Sequence, residues 1–189
     1  MYSMIRVCLI AGTLICGSAV AEVTDSGPGG FTTVNSITVD VERAAVWAAA
    51  VNEVGRWWHP DHTISGDAAN MSIDPRPMGC YCEIFGDDTA GVVHLTVTMV
   101  NPEVVLRMTG GLGPLGLMGV NGNMTWEFED SGSRGTTVKF TYAVGGYMDG
   151  GLDSIAPAVD YVLAEALLRL ATYAETGSPE IPPGEADVE

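Results

Sequence analysis

Alternation of apolar and polar residues predicts a series of strands over the middle of the chain. The clearest pair carries large side chains at every second position, with Met124, Trp126 and Phe128 in one strand and Phe140 and Tyr142 in the next. Alternation of this kind is typical of strands with one buried face. The turn-forming sequence DSGSRG separates the two segments, so they are predicted to pair as an antiparallel hairpin.

The same pattern, bounded by glycine, proline, asparagine and aspartate turns, recurs earlier in the chain. Within residues 91–100, His94 alternates with Thr96 and Thr98, so it is predicted to face solvent. The further predicted strands span residues 31–41, 63–67, 70–74, 80–85, 91–100 and 103–109.

Helical periodicity marks two short segments and one long one. Residues 42–51 are rich in alanine, and a second short helix would carry Trp57 and Trp58 before Pro60 ends it. Between residues 152 and 175, apolar residues recur at three- and four-residue spacing, which predicts one wide apolar helix face. The order predicts an α+β helix-grip fold: a curved antiparallel sheet of about seven strands wrapped around a long C-terminal helix, with two short helices after the first strand.

The first 21 residues have the composition of a secretory signal peptide. Arg6 is followed by about ten apolar residues, and the segment ends in the sequence AVA, so cleavage is predicted after Ala21. A membrane span needs roughly twenty apolar residues, which disfavours a retained anchor. A lipid-modified Cys16 is disfavoured because bulky residues precede it. The chain is therefore predicted to be exported, either to a periplasm or to the medium, with no membrane segment after processing.

The predicted domain organisation follows from these boundaries. Residues 22–30 are polar and rich in glycine, which predicts a flexible leader, and residues 31–176 form one domain. Residues 177–189 are rich in proline and acidic residues, which predicts a disordered acidic tail. The net charge of −16 makes the protein strongly acidic and argues against nucleic acid or an anionic membrane surface as a partner.

Four parts of the chain carry a resemblance to a known superfamily: ITVDVERAAVWAAAVNEVGRWWHP, NPEVVLRMTGGLGPLGL, the pair GNMTWEFED and GTTVKFTYAVGGY, and the closing helix. Together they resemble the START-like, or SRPBCC, superfamily, and within it the bacterial domains of the polyketide-cyclase and ATPase-activator-homology type. The resemblance covers most of residues 30–176. It implies a hydrophobic cavity between the sheet and the long helix, of the kind used by lipid carriers and aromatic-ring cyclases.

The resemblance implies that certain apolar residues line the cavity, although the same residues could simply form the core. The loop at residues 110–122 is apolar and rich in glycine, so it could be a lid over the cavity or a loop packed on the long helix. The cavity candidates are Trp57, Trp58, Met99, Met108, Leu115, Leu117, Met124, Trp126, Phe128, Phe140, Tyr142, Leu163 and Leu167.

Two cysteines, Cys80 and Cys82, remain after removal of the signal segment. In an extended strand they would point the same way, roughly 6.6 Å apart, which permits either a disulfide or a reduced pair in the core. Together with His59 and His62 they could supply four zinc ligands on paper, but the spacing matches no standard zinc module, so no metal site is expected. No cofactor motif is present either.

Three polar residues, His59, His62 and Glu83, are candidates for the rim of the cavity. No catalytic residues are assigned, because no pairing of a nucleophile with a base is visible in the sequence. The leading hypothesis is a non-catalytic exported domain that binds a hydrophobic small molecule or lipid. The alternatives are a cyclase- or hydrolase-like enzyme that uses those three residues, and a partner-binding module of the cell envelope.

Overall fold

The computed structural model describes residues 20–87, 89–132 and 134–181. It is an α+β structure in which one open antiparallel sheet of eight strands has the order β1-β2-β8-β7-β6-β5-β4-β3. The strands are β1 (Val20–Gly27), β2 (Gly30–Val39), β3 (Met71–Ile73), β4 (Cys80–Phe85), β5 (Ala90–Asn101), β6 (Val105–Gly110), β7 (Gly119–Asp130) and β8 (Thr136–Tyr147). The helices are α1 (Arg43–Asn52), α2 (Val54–Trp57) and α3 (Ala156–Thr176).

The hairpin of β7 and β8 forms the middle of the sheet, as the alternation predicts. Trp126 lies opposite Phe140 in the register, and their rings stack with centroids 4.5 Å apart on the buried face. Glu127 lies opposite Lys139 on the other face, and Lys139 Nζ is 2.6 Å from Glu127 Oε2. Each pair thus places side chains of matching chemistry on the same face.

The long helix α3 covers the buried face of the sheet, which gives the predicted helix-grip architecture. Pro157 stands in its first turn, where proline is favoured because no helical N–H is lost there. Gly177 ends the helix in the left-handed conformation, at φ 79°, and its N–H donates to Tyr173 O at 2.8 Å. Leucines and alanines along the inner face of α3 are buried against β2 and α1.

The short helices α1 and α2 close one end of the sheet. Trp57 Nε1 donates to Ala49 O at 3.0 Å, which joins α2 to α1. Arg169 Nε donates to Trp57 O at 2.8 Å, which joins α2 to α3. These bonds fix the position of the turn that follows α2. Within the described part of the chain, no helix is both long and apolar enough to cross a membrane.

The prediction of a flexible leader over residues 22–30 is corrected, because most of this segment belongs to strand β1. Residues 20–27 pair with β2 in an antiparallel register, and β1 is the strand that brings the sheet to eight. Val23 packs against the core, so the segment is held by backbone pairing and by apolar contact. Ala21 lies within β1, whereas residues 1–19 of the predicted signal and residues 182–189 of the predicted tail lie outside the described residues.

Residues 63–67 are also corrected, from a predicted strand to a loop between two short 3₁₀ turns, Pro60–His62 and Ala68–Asn70. The polar residues of this segment bond locally instead of pairing with a strand. Ser65 Oγ donates to Asp67 O, and Asp67 Oδ1 accepts from the N–H of Ala69. Such side-chain bonds compete with the strand ladder and favour turns.

Candidate functional site

An apolar pocket, here called the loop pocket, opens between three walls at one end of α3. Its walls are the turn at residues 58–64, the glycine-rich loop at residues 112–118 and the α3 end at residues 155–163. Its volume is about 350 Å³, and its lining is predominantly apolar, with Asp61 and His62 at one edge. A small number of polar groups at the edge of an apolar cleft is typical of small-molecule sites.

A second opening, the strand pocket, lies on another face of α3 and has a volume of about 260 Å³. Its walls come from β1, β2 and α3, and they include Val20 and Ala21. Asn35 Nδ2 donates to Asp160 Oδ1 at 2.7 Å in this pocket. Burial raises the pKa of the Asp160 carboxyl above its ordinary value, the nearby Glu22 charge raises it further, and the bond from Asn35 opposes both.

Two walls of the loop pocket are tied to one buried hydrogen-bonded pair, formed by Glu83 and His94. Glu83 Oε2 accepts from the N–H of Ile64 at 2.9 Å, and Glu83 Oε1 accepts from the N–H of Ser65. His94 Nε2 lies 3.1 Å from Glu83 Oε2, and His94 Nδ1 accepts from the N–H of Gly113 at 3.3 Å. One pair of side chains therefore positions both loops.

The inward orientation of His94 overturns the expectation that it faces solvent. In the pairing of β4 with β5, Tyr81 lies opposite Leu95 and Cys82 lies opposite Val93. His94 is therefore the extra residue of a β-bulge, and it is buried next to Leu95. Strict alternation cannot anticipate this, because a bulge shifts the inside–outside phase by one residue.

Glu83 is likewise corrected from a rim residue to a fully buried one. Burial alone would raise the pKa of its carboxyl, but the hydrogen bonds from Ser65, Ile64 and His94 outweigh burial, so the pKa lies below its ordinary value. Its acceptor oxygens are thus engaged by three donors. Glu83 does not line the loop pocket, so it is poorly placed to act as the base of the enzyme alternative.

Tyr142 holds the base of the glycine-rich loop from the sheet. Its hydroxyl donates to Gly110 O at 2.8 Å and accepts from the N–H of Leu112 at 3.1 Å. Burial raises the pKa of the Tyr142 hydroxyl to about 12, against a smaller opposing effect of the Leu112 bond. The hydroxyl therefore stays protonated and can keep its donor role at neutral pH. Sequence patterning places Tyr142 on the inner face but gives no sign of this role.

Most of the predicted cavity residues form a filled core and do not line either apolar pocket. Trp58, Leu115 and Leu163 line the loop pocket, and Leu167 lines the strand pocket. The interior under the sheet is occupied by aromatic contacts, which explains why those side chains do not enclose a cavity. The candidates buried in this core are Trp57, Met108, Met124, Trp126, Phe128, Phe140 and Tyr142.

Two of the predicted cavity residues, Met99 and Leu117, are exposed, so the prediction that they line a cavity is wrong. Met99 is 43% exposed because a second bulge, between Val97 and Met99, reverses the phase of β5. Leu117 is 91% exposed. It lies in the 3₁₀ turn Gly113–Leu117, whose curvature turns Leu115 inward instead.

The two histidines of the turn after α2 lie side by side at the edge of the loop pocket. His62 lines the pocket, and its Nε2 is 2.9 Å from Glu165 Oε2 on α3. His59 is not part of the lining, but its ring centroid is 5.4 Å from that of His62. The structure thus brings together His59, His62 and Glu165, and the third of these has no sequence signal linking it to the others.

Cys80 and Cys82 are joined to each other by a disulfide, with their Cα atoms 5.4 Å apart. Cys82 is buried and Cys80 is half-buried at the start of β4. The disulfide uses both sulfur atoms, so in this state the cysteines cannot serve as ligands alongside His59 and His62.

Comparison with solved structures identifies many proteins of the same fold. EF2215 from Enterococcus faecalis, a conserved protein of unknown function, matches with a TM-score of 0.58 and 11% identity over 87% of this chain and 80% of its own. CalU16 from Micromonospora echinospora matches with a TM-score of 0.53 and 14% identity over 85% and 86%. CV1439 from Chromobacterium violaceum matches with a TM-score of 0.53 and 16% identity over 76% and 96%.

No protein-family model matches the sequence, and a search of curated proteins finds no significant match. At identities this low, the likeness to solved structures shows a shared fold and nothing about activity. The comparisons therefore establish the α+β helix-grip architecture of the chain.

Proposed function

We propose that the protein is a non-catalytic carrier or sensor that binds one small hydrophobic molecule in the loop pocket. The observation that carries the proposal is the pocket itself: about 350 Å³ of mainly apolar space between α3 and two loops that the buried pair of Glu83 and His94 holds in place. That volume is at the small end of the range for ligand sites, so it suits a single ring system or a short chain better than a diacyl lipid.

The loop pocket is a better candidate than the strand pocket for two reasons. The wall of the strand pocket contains the buried Asn35 and the half-buried Asp160, and these polar groups disfavour an apolar ligand. It also uses Val20 and Ala21, which the predicted cleavage would remove. The resemblance to START-like domains of the polyketide-cyclase type supports an apolar ligand for the pocket that remains.

The proposal includes export, with cleavage after Ala21. Residues 22–27 would remain to pair with β2 after processing, including Val23, so the mature chain keeps most of β1. Intact mass of the protein recovered from the producing cells and their medium tests this step. A mature species that begins at Glu22 in the exported fraction is expected, and a full-length chain confined to the cytosol would contradict it.

Ligand binding can be tested with N-phenyl-1-naphthylamine, a neutral apolar probe whose fluorescence rises in apolar sites. Two alanines of α3 provide a matched pair, since Ala158 lines the loop pocket and Ala164 lines the strand pocket. Ala158→Phe fills the loop pocket and should weaken probe binding at least tenfold, whereas Ala164→Phe should leave it unchanged. Equal binding by the wild type and Ala158→Phe, with both folded by circular dichroism, would refute the assignment of the site.

A further inference from the structure

His59, His62 and Glu165 bring three potential metal-binding groups to one place at the edge of the loop pocket. One ring nitrogen of each histidine and one carboxylate oxygen all lie within 4.8 Å of one another. All three residues are half-buried, so the group is shielded from bulk water but open enough for an ion to enter. The histidines come from the turn after α2 and the glutamate comes from α3.

The local sequence explains why the two histidines face the same way. His59 directly precedes the 3₁₀ turn Pro60–His62, and the N–H of His62 donates to His59 O at 3.1 Å, so the turn brings the two residues close together. Thr63 Oγ1 donates to Pro60 O at 2.7 Å, and Trp58 Nε1 donates to His62 O at 3.1 Å. These bonds hold the turn closed and hold both imidazoles in front of α3.

The two imidazole nitrogens and one carboxylate oxygen are the kinds of ligand atom that a divalent transition-metal ion takes in proteins. Two imidazoles and one glutamate are the protein ligands of one common class of zinc site that keeps a fourth position open. Zinc bonds of about 2.1 Å in tetrahedral geometry place ligand atoms roughly 3.4 Å apart. The three potential ligand atoms are at most 4.8 Å apart in this structure, which is close to the separation that a tetrahedral zinc site needs. His62 Nε2 and Glu165 Oε2 are already in contact, at 2.9 Å.

We propose that His59, His62 and Glu165 bind a divalent metal ion of the zinc class at the edge of the loop pocket. Since His62 also lines the pocket, the open coordination position would be available to water or to an oxygen atom of a bound molecule. The net charge of −16 favours the approach of a cation. This site goes beyond the proposed carrier function and does not depend on it.

Asp61 contacts the Nδ1 atom of His59 through both its backbone and its side chain. Its backbone N–H donates to His59 Nδ1 at 3.1 Å, and its carboxylate Oδ2 lies 3.9 Å from the same atom. Since Nδ1 accepts in this structure, a metal bound through His59 Nε2 requires the ring proton to move from Nε2 to Nδ1. The bond from the Asp61 N–H then gives way to one that Nδ1–H donates to the Asp61 carboxylate. The sequence expectation of no metal site considered only the cysteines as partners, whereas the third ligand is 103 residues away from His62.

The site can be tested in the wild-type protein because the chain has only three histidines. After treatment with a chelator, the protein is titrated with Zn²⁺ by calorimetry and followed by NMR of the histidine ring nitrogens. One equivalent of Zn²⁺ should shift the ring signals of His59 and His62. The signal of His94, which is engaged with Glu83 and Gly113, should stay in place. Absence of stoichiometric binding, or equal shifts of all three histidines, would overturn the proposal.

Variants assign the ligands and exclude diffuse binding to the acidic surface. His62→Ala and Glu165→Gln should each weaken Zn²⁺ binding at least tenfold. Glu175→Gln, the same change at an exposed position of α3, should have no effect. Equal losses in Glu165→Gln and Glu175→Gln would show non-specific binding and contradict the site. These measurements use the metal alone, so failure of the apolar probe to bind would leave their outcome unaffected.

Discussion

His94 Nε2 lies 3.1 Å from Glu83 Oε2, and both side chains are almost completely buried. The pair links two segments that are distant in sequence, because Glu83 accepts from the backbone at Ile64 and Ser65 while His94 accepts from the backbone at Gly113. A buried pair of this kind is costly to desolvate. Here it also accepts hydrogen bonds from three backbone N–H groups of the two loops, which offsets part of that cost.

Glu83→Gln should destabilise the protein, because the amide cannot accept from three donors as the carboxylate does. The glutamine side chain has one oxygen and one NH₂ group, and its NH₂ group would face either a backbone N–H group or the imidazole N–H, so two donors would meet. The expected loss in the free energy of unfolding is about 3 kcal/mol. Urea denaturation measures it, and Glu129→Gln, at an exposed position of β7, is the control with an expected change below about 0.5 kcal/mol. Similar small losses in both variants would contradict the structural role of the pair.

The contribution of Glu83 should depend on pH with a defined sign. Its pKa in the folded protein is lower than the ordinary value of 4.5. The ionised carboxylate therefore stabilises the fold above that value, and its contribution is lost as the pH falls from about 4.5 through the folded pKa. The difference in unfolding free energy between the wild type and Glu83→Gln should shrink between pH 6 and pH 3. A difference that stays constant over this interval would argue against an ionised Glu83 in the folded state.

The fold could be predicted from the sequence wherever the apolar residues keep one spacing, that of a strand or that of a helix, along the whole element. The strands carrying Trp126 and Phe140 each keep an unbroken alternation through their aligned segments, so their pairing and inner face could be predicted. The helix α3 keeps one apolar stripe over 21 residues. Strand β1 was missed because its sequence, VAEVTDSG, is polar and its stability comes from pairing with β2, which no local pattern reveals.

The candidate site could be predicted only in part, for three physical reasons. Bulges in β5 invert the orientation of His94 and of Met99 relative to simple alternation. Aromatic side chains predicted to enclose a cavity fill the space themselves, and patterning cannot distinguish a wall from a core. The contact of His62 with Glu165 depends on the docking of α3 against the turn after α2, which is a tertiary relationship.

Tyr142→Phe should loosen the glycine-rich loop while keeping the fold. The substitution removes the bonds to Gly110 O and from the N–H of Leu112 and leaves both backbone groups without their partner. The expected loss of stability is about 1–2 kcal/mol. Hydrogen exchange should become faster at Leu112 and not at Trp126, in the middle of β7. If exchange at Leu112 is unchanged, the hydroxyl does not hold the loop.

Gly122 of β7 should not tolerate a side chain, because the Tyr142 ring occupies the space beside it. A Cβ atom at position 122 would lie 2.5 Å from Tyr142 Cε2 and 3.0 Å from Ala143 O. Gly122→Ala must displace the ring from its bonds to the loop, which should cost about 1–3 kcal/mol as overpacking does. Gly119 of the same strand is the matched control, since a Cβ there comes no closer than 3.4 Å, to Tyr147 O. Thermal unfolding of Gly122→Ala and Gly119→Ala measures the contrast. The packing argument fails if the two variants melt at the same temperature as the wild type.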